Sequence, residues 1–245
     1  MISTVFHAII YNPLYNGLIF LVNIIPTHDV GLAVVALTVV VRFVVYPLSK
    51  RAVQSQLAMK KITPEVEELK KKYKKNSPEQ TKAVFALYKE RDIHPFAGAG
   101  LMLVQLPVLI ALFWIFATGG LPTVDTQLLY SFIPRPETVN MLFVGLIDMG
   151  AKHNIPLAVL TALTQLAYSR LSMGPRAGKT AIEESLSSDM AKSFDLQARY
   201  VLPAIIGFVA YSVVAAAPLY YVTSNLFMIG QEYLAGRRFY DKKAQ

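Results

Sequence analysis

Long apolar blocks dominate this chain and restrict it to a membrane fold. A helix that crosses the hydrocarbon core of a bilayer needs about 20 apolar residues, with a range of about 17–25. Five segments meet that requirement, and they cover 30–48, 95–116, 155–173, 200–216 and 218–234. Only 16% of the residues are charged, against about 25% in an ordinary soluble domain. The sequence therefore predicts an all-α polytopic membrane protein with five transmembrane helices.

The residues before the first span predict a shorter helix of another kind. Asn12 and Pro13 have the character of an N-cap and a first helical position, and the apolar stretch from there to Ile25 is too short to cross a bilayer. We therefore expect 1–29 to lie outside and to form an amphipathic helix in the membrane interface. A sixth span that starts at Val5 is the alternative.

A proline separates the last two predicted spans. Proline removes a helix hydrogen-bond donor and clashes with the preceding turn. We therefore expect a tight hairpin at Ala217–Pro218.

The distribution of Lys and Arg predicts the orientation. Twelve lie in 49–94, five in 170–199 and four in 235–245, whereas the segment 117–154 has only Arg135 and Lys152. The positive-inside rule makes the basic side cytoplasmic. The predicted order is 1–29 outside, 30–48 first span, 49–94 cytoplasmic hairpin, 95–116 second span, 117–154 outside loop, 155–173 third span, 174–199 cytoplasmic loop, 200–216 fourth span, 218–234 fifth span and 235–245 cytoplasmic tail.

Two of the loops have patterns of their own. In 49–94, Thr63 followed by Pro64 predicts a helix start, and Ser77 with Gln80 resembles a capping box, so two antiparallel helices form a basic hairpin. Its partner is anionic lipid, ribosomal RNA or an acidic protein, unless the hairpin is simply solvated. The loop 117–154 predicts short helices such as Val139–Ile147, without an assigned role.

The sequence contains no convincing combination of catalytic groups. There is no cysteine, the four histidines are scattered, and the spans contain no carboxylate before Glu232. A proton-driven transporter commonly uses intramembrane carboxylates. We therefore expect no enzymatic activity, no cofactor and no metal site.

One cation stands inside the first span. An arginine in hydrocarbon costs at least about 2.5–3.5 kcal/mol, so Arg42 predicts a functional site. Thr38, Arg42 and Tyr46 are spaced by four and share one helical face. Uncharged polar residues on the other spans, pointed inward, would complete a hydrated groove with a positive field: Gln105, Thr161, Thr164, Gln165, Ser212, Tyr220, Tyr221, Thr223, Ser224 and Asn225.

Other interpretations of these residues stay open. Arg42 lies six residues before Leu48 and could extend to the cytoplasmic headgroups, and the Gln, Thr and Ser side chains could serve only as hydrogen bonds between helices. A positive cavity would also suit an anion or solute transporter or channel. An assembly partner without its own activity is the third class of function.

Four sequence blocks, in this order, resemble the YidC/Oxa1/Alb3 family of membrane protein insertases. They are Val39–Leu48 around Arg42, Lys61–Glu65 at the start of the hairpin, Gln105-Leu-Pro107 in the second span and Leu219–Gln231 in the last span. The resemblance covers about Asn12 to Leu234 and indicates a minimal bacterial member, in the plasma membrane, with its N-terminus outside and its C-terminus in the cytoplasm.

The resemblance implies a function. Members insert nascent proteins into the bilayer from a groove that is open to the cytoplasm and to lipid, and the arginine that corresponds to Arg42 attracts acidic substrate segments. Nascent membrane proteins and the lipid bilayer are thus the implied partners, with the ribosome and the Sec translocon as further partners of 49–94. By position, the third and fifth spans would form the surface along which the substrate slides into lipid.

The sequence departs from the family pattern at several positions. Ala99-Gly100-Leu101 replaces a frequent Cys-Leu-Pro, and Ser224 stands where Gly often precedes Asn. The first departure predicts a straighter second span.

Overall fold

The computed structural model describes residues 2–73, 77–94, 97–117, 121–173 and 196–236. Most of the predicted loop 174–199 and of the predicted tail 235–245 therefore lies outside the described residues. The chain divides into two compact units, one of Met1–Arg42 with Pro107–Gln245 and the other of Phe43–Leu106.

The described chain is mostly helical, as predicted. Its elements in order are α1 Ile2–Phe6, a π-helical turn His7–Tyr11, α2 Asn12–Ile24, α3 Val30–Lys61, α4 Thr63–Lys72, α5 Pro78–Glu90, α6 Ala97–Ala117, a 3₁₀ turn Thr126–Leu128, β1 Leu142–Phe143, β2 Ile147–Asp148, α7 Ile155–Met173, a second π-helical turn Gln197–Val201, α8 Leu202–Ser212 and α9 Ala216–Leu234.

The N-terminal helix is longer than the predicted one. Asn12 is not an N-cap, because its backbone is helical and its N–H donates to the carbonyl of His7. Proline crowds the carbonyl four residues earlier, and the wider π turn before Pro13 accommodates it. The helix therefore runs from Ile2 through α2, and its part Thr4–Ile24 has the length and hydropathy of a membrane span. That length fits the alternative expectation of a span from near Val5.

Helix α3 also exceeds its predicted end at Leu48. It continues through Pro47 to Lys61, because the residues after 48 are mostly good helix formers such as Ala, Gln, Leu, Met and Lys. In the part of the chain that the structure describes, Thr4–Ile24 and Val30–Lys61 are the two helices long and apolar enough to cross a membrane, and a shorter apolar helix covers Gln105–Phe116.

The turn before the last helix lies earlier than predicted. Helix α8 ends at Ser212 and α9 begins at Ala216, so the turn is at 213–215 and not at Ala217–Pro218. Pro218 is the third residue of α9. The first-turn N–H groups of a helix have no acceptor within it, so proline costs little there.

Helix α7 packs against both α8 and α9 in the first unit. Its contact with α8 is close: a Cβ atom added at Gly207 would lie 2.7 Å from the Cβ of Ala162. Small residues let the backbones of membrane helices approach in this way. The core of the unit combines residues of α2, α3, α6, α7 and α9 with residues of the 121–149 region.

The second unit contains a pair of packed helices. Ile62, Val66 and Ile93 form the small apolar cluster between α4 and α5. Ser77 caps α5, since its Oγ accepts from the Gln80 N–H at 3.0 Å. Thr63 is not the cap of α4, because its hydroxyl donates to the carbonyl of Met59 in the preceding helical turn.

The helix predicted at Val139–Ile147 is a β-hairpin instead. Leu142 pairs with Asp148 and Phe143 with Ile147 in antiparallel register. Val144 and Gly145 have φ values of 51° and 73°, and this left-handed turn reverses the chain. Gly145 adopts such a conformation without strain, and the hydrogen bonds of the hairpin hold Val144 in it.

Candidate functional site

Arg42 lies inside the first unit and is almost completely enclosed. It follows the start of α3 by twelve residues, which places its Cα about 18 Å along the helix axis at a rise of about 1.5 Å per residue. The residue is 6% exposed. Its Nε donates to the Oγ of Ser224 on α9 at 3.2 Å. The guanidinium is therefore directed into the helix bundle, which disfavours the interpretation that it extends to the headgroups.

Aromatic hydroxyls surround the cation. Tyr220, Tyr168 and Tyr221 lie within electrostatic range of the Arg42 guanidinium. Tyr220 is fully buried, and its ring centroid is 5.9 Å from that of Tyr221. Because a neutral phenol carries no charge, these tyrosines do not neutralise the cation.

No carboxylate is paired with Arg42 in the described ranges. Ion pairs in those ranges include Arg91 with Glu65 at 2.8 Å and, when His94 is protonated, His94 with Asp92 at 3.8 Å, both in the second unit. A buried cation without an anionic partner produces a positive field that is screened much less than in water.

Two predicted groove residues make hydrogen bonds between helices. Asn225 donates from Nδ2 to the Oγ1 of Thr164 at 3.3 Å. The Thr161 hydroxyl lies 2.7 Å from the carbonyl of Leu157 and 3.3 Å from that of Pro218 on α9. These contacts join α7 to α9 and favour, for these two side chains, the interpretation as hydrogen bonds between helices.

The remaining predicted residues differ in their placement. Thr38 is buried and donates to Val34 of its own helix at 2.6 Å, and Gln165 is half-buried on α7. Ser212 was expected in the groove, but its side chain is exposed and donates to the Phe208 carbonyl at 3.1 Å. It ends α8, one residue after Tyr211, whose carbonyl accepts from the loop residue His153. The Ser212 hydroxyl is thus satisfied by its own helix.

Tyr46 and Gln105 belong to the second unit. Both are half-buried. Other predicted residues, on α3, α7 and α9, belong to the first unit: Thr38, Arg42, Thr161, Gln165, Tyr220 and Asn225.

Sequence reasoning underrated two residues of the site. Ser224 was expected only as one of several polar residues of the last span and as a departure from a family pattern, yet it accepts a hydrogen bond from Arg42. Thr164 receives the Asn225 amide. Both are polar residues in apolar spans, and that pattern alone could have indicated them. Which helices face each other cannot be predicted from either segment.

A separate apolar cavity of about 370 Å³ lies in the same unit. Residues of α6, α8 and α9 line it, together with Val213 after α8; they include Ile110, Trp114, Ile206 and Tyr221. Tyr221 is shared between this cavity and the surroundings of Arg42. Within the described ranges, no cluster of three or more His, Cys, Asp or Glu residues has the arrangement of a metal site.

These features define a helical membrane protein with an enclosed cation next to an apolar cavity. The family model of the 60Kd inner membrane protein matches residues 20–243. The chain therefore belongs to this family, which is the YidC/Oxa1 family that the sequence motifs indicate.

Individual relatives agree with this membership. A protein from Clostridium tetani named membrane protein insertase YidC is 29% identical over 209 residues, which are 85% of this chain and 82% of that protein. A Fusobacterium nucleatum protein of the same name is 27% identical over 226 residues, which are 91% of this chain and 95% of that protein. A Caulobacter vibrioides protein, also named YidC, is 31% identical over 218 residues, but the match covers only 34% of its length.

A solved structure shares the fold. It is described as an active YidC insertase with its first transmembrane domain resolved, and it superimposes with a TM-score of 0.55 at 23% identity. The match covers 91% of this chain and 46% of that one.

Proposed function

We propose that this chain is a membrane protein insertase. It moves nascent chains from a hydrated groove, open to the cytoplasm, into the lipid bilayer, and Arg42 attracts their acidic segments. The names of the relatives support the insertase role. The observation that carries the mechanism is the enclosed Arg42, hydrogen-bonded to Ser224 and without a carboxylate partner in the described part of the chain.

The proposed groove lowers two costs of crossing. A polar tail that enters water-filled space part of the way crosses a thinner apolar barrier than the full hydrocarbon core of about 30 Å. The field of Arg42 then offsets part of the desolvation of an acidic side chain, since charges attract more strongly where water is scarce. No nucleotide or covalent intermediate is needed, and the proposed activity is not enzymatic.

The apolar cavity is the proposed exit for the substrate's apolar residues. Its lining from α6, α8 and α9 corresponds to the second, fourth and fifth predicted spans. The third and fifth spans were expected from position alone. Because α7 is packed between α8 and α9, less of its surface is available to a passing segment, and α6 replaces it in the proposal.

The proposed topology has five spans within a bacterial plasma membrane, with the N-terminus outside and the C-terminus in the cytoplasm. It assigns Thr4–Ile24, which is long enough to be a span, to the membrane interface, where helices of this length also occur. It rests on the excess of Lys and Arg in 49–94. The ribosome and the Sec translocon are proposed partners of that segment. Its basic residues, such as Lys70–Lys72 at the end of α4, would suit RNA phosphates.

Reconstitution tests the activity itself. Purified chain in lipid vesicles is given a single-span substrate with an acidic N-terminal tail, and protection of the tail from added protease reports insertion. We expect protection that depends on the purified chain and is absent from protein-free vesicles. Equal protection in both kinds of vesicle would reject the insertase proposal.

The same vesicles address the alternative of an anion or solute transporter. An anion-sensitive dye enclosed in the vesicles would report flux. The insertase predicts insertion without flux, whereas a transporter requires flux and does not require insertion. An assembly partner without its own activity would produce neither.

A further inference from the structure

The β1–β2 hairpin carries exposed apolar side chains at its turn. Leu146 is 83% exposed, Val144 62% and Leu142 46%. We name these three residues the hairpin patch. Large apolar side chains scattered singly on a surface need no explanation, but three within five residues form a contiguous group. Nothing in the insertase mechanism uses them.

The pairing of the hairpin explains why these side chains point away from the protein. Side chains alternate between the two faces of a strand. Phe143 and its partner Ile147 pack against the hydrophobic core of the first unit. Leu142 lies on the opposite face, beside Asp148, whose carboxylate accepts from the Gly150 N–H at 2.8 Å.

The hairpin is fixed to the first turn of α3 by one carboxylate. The buried Asp29 accepts from the Leu32 N–H at 3.0 Å and thereby caps α3. Its second oxygen accepts from the Val144 N–H at 2.7 Å. A single side chain therefore holds both the start of the helix and the turn of the hairpin.

Two further contacts hold the hairpin in the same position against α3. The Val30 N–H donates to the Asn140 carbonyl at 2.9 Å. A Cβ atom at Gly31 would overlap the ring of Phe143, so glycine is required where the hairpin crosses the helix. The hairpin cannot move away from the start of α3 without losing all these contacts.

This attachment sets the level of the hairpin relative to the bilayer. The apolar run of α3 begins at Val30, so the edge of the hydrocarbon lies within the first turn of that helix. The headgroup layer on each side of the core is about 5–7 Å thick, from about 40–45 Å in total and about 30 Å of hydrocarbon. A turn held by a 2.7 Å hydrogen bond to Asp29 therefore lies within that layer.

We propose that the hairpin patch is a membrane anchor. Leu142, Val144 and Leu146 insert into the boundary between headgroups and acyl chains of the leaflet where α3 begins. Their occupant is lipid, because the hairpin is held where the apolar run of α3 begins. An anchored hairpin would hold the α3 start, and the loop attached to it, at a fixed depth.

The absence of cysteine from the chain makes a direct depth measurement simple. Leu146→Cys carries an environment-sensitive fluorophore, and the purified full chain is placed in vesicles of zwitterionic and anionic phospholipid. Glu137→Cys is the matched control, since residue 137 is also exposed and belongs to the same loop. Two quenchers are compared, a lipid with a nitroxide near its headgroup and aqueous iodide.

The anchor predicts opposite responses at the two positions. At 146 the nitroxide lipid quenches several-fold more than at 137, and iodide quenches several-fold less. Leu142→Cys repeats the measurement on the paired strand, so an effect of one label on the turn cannot decide the result.

Iodide quenching at 146 and 142 as strong as at 137 would show a hairpin in water and overturn the proposal. Protection from both quenchers would show that protein covers the patch, through a second copy or another contact, and would overturn it equally. Unchanged thermal unfolding of each labelled chain confirms that the fold is intact.

Discussion

Replacement of Arg42 by glutamine should impair insertion in proportion to the acidity of the substrate. Glutamine keeps a polar side chain of similar reach but removes the charge, so Ser224, 3.2 Å from Nε, retains a partner nearby. If Arg42 attracts acidic segments, the loss concerns substrates with Asp or Glu in the translocated tail. A substrate with Asn and Gln in those places should be much less affected.

The magnitude follows from the enclosure of the site. Two unit charges 4 Å apart attract by about 4 kcal/mol at an effective dielectric constant of 20 and by about 1 kcal/mol in bulk water. Desolvation of the carboxylate removes part of that gain, and measured hydrogen bonds to charged groups retain about 1.5–3 kcal/mol. Because 1.4 kcal/mol corresponds to a factor of ten, Arg42→Gln should slow insertion of the acidic substrate roughly 10- to 100-fold.

The assay is a two-by-two comparison in reconstituted vesicles. Wild-type and Arg42→Gln chains are each given the acidic and the amide substrate, and the initial rate of tail protection is measured. The double difference isolates the coupling between Arg42 and the acidic tail. Arg42→Lys keeps the charge and should retain most of the coupling. Equal slowing of both substrates would refute the electrostatic argument, since a general defect in folding or hydration would then explain the loss.

Three further changes test the structure that supports the site. Gly207→Leu should lower the thermal unfolding temperature by several degrees, because even its Cβ atom would lie too close to the Cβ of Ala162. Gly230→Ala should leave that temperature unchanged, because nothing lies within 4 Å of the added Cβ atom. Ser77→Ala should lower the helix content of the second unit with a cost of about 1 kcal/mol, measured by circular dichroism against the wild type; no change would mean that the cap is dispensable. Asn16→Ala removes two hydrogen bonds to the 121–154 loop, which should lower the free energy of loop opening by about 2 kcal/mol. Limited proteolysis should therefore cut that loop faster, and an unchanged digestion pattern would contradict the role of Asn16 in holding it.

The sequence predicts the helical membrane character because hydropathy acts locally. Each apolar block must satisfy its own backbone hydrogen bonds, and a helix does this within the segment. The starts of α7 and α9 therefore fall at or within two residues of the predicted positions. Helix ends at proline were less predictable. Pro218 lies in the first turn of α9, where its missing N–H has little consequence. Helix α3 continues through Pro47 in its interior, which membrane helices tolerate when neighbouring groups satisfy the freed backbone.

The hairpin and the Arg42 contact depend on residues distant in sequence. Leu142–Asp148 is a hairpin because Asp29 and Gly31 hold it from more than 100 positions away, and nothing in 139–147 alone shows that. In the same way Ser224 faces Arg42 only because α3 and α9 are neighbours in the bundle. The sequence shows which residues of the spans are polar, and tertiary packing decides which of them come into contact.

Photo-crosslinking to a stalled nascent chain tests the groove most directly. A crosslinking residue at Gln165, half-buried on α7, is compared with one at Leu163, exposed on the same helix, while the acidic substrate is held at successive lengths. The proposed groove predicts crosslinks from 165 to the acidic tail before the apolar segment has emerged, lost when Arg42 is changed to glutamine. Crosslinks of equal strength from 163 and 165, unaffected by Arg42→Gln, would contradict the groove and the role of its arginine.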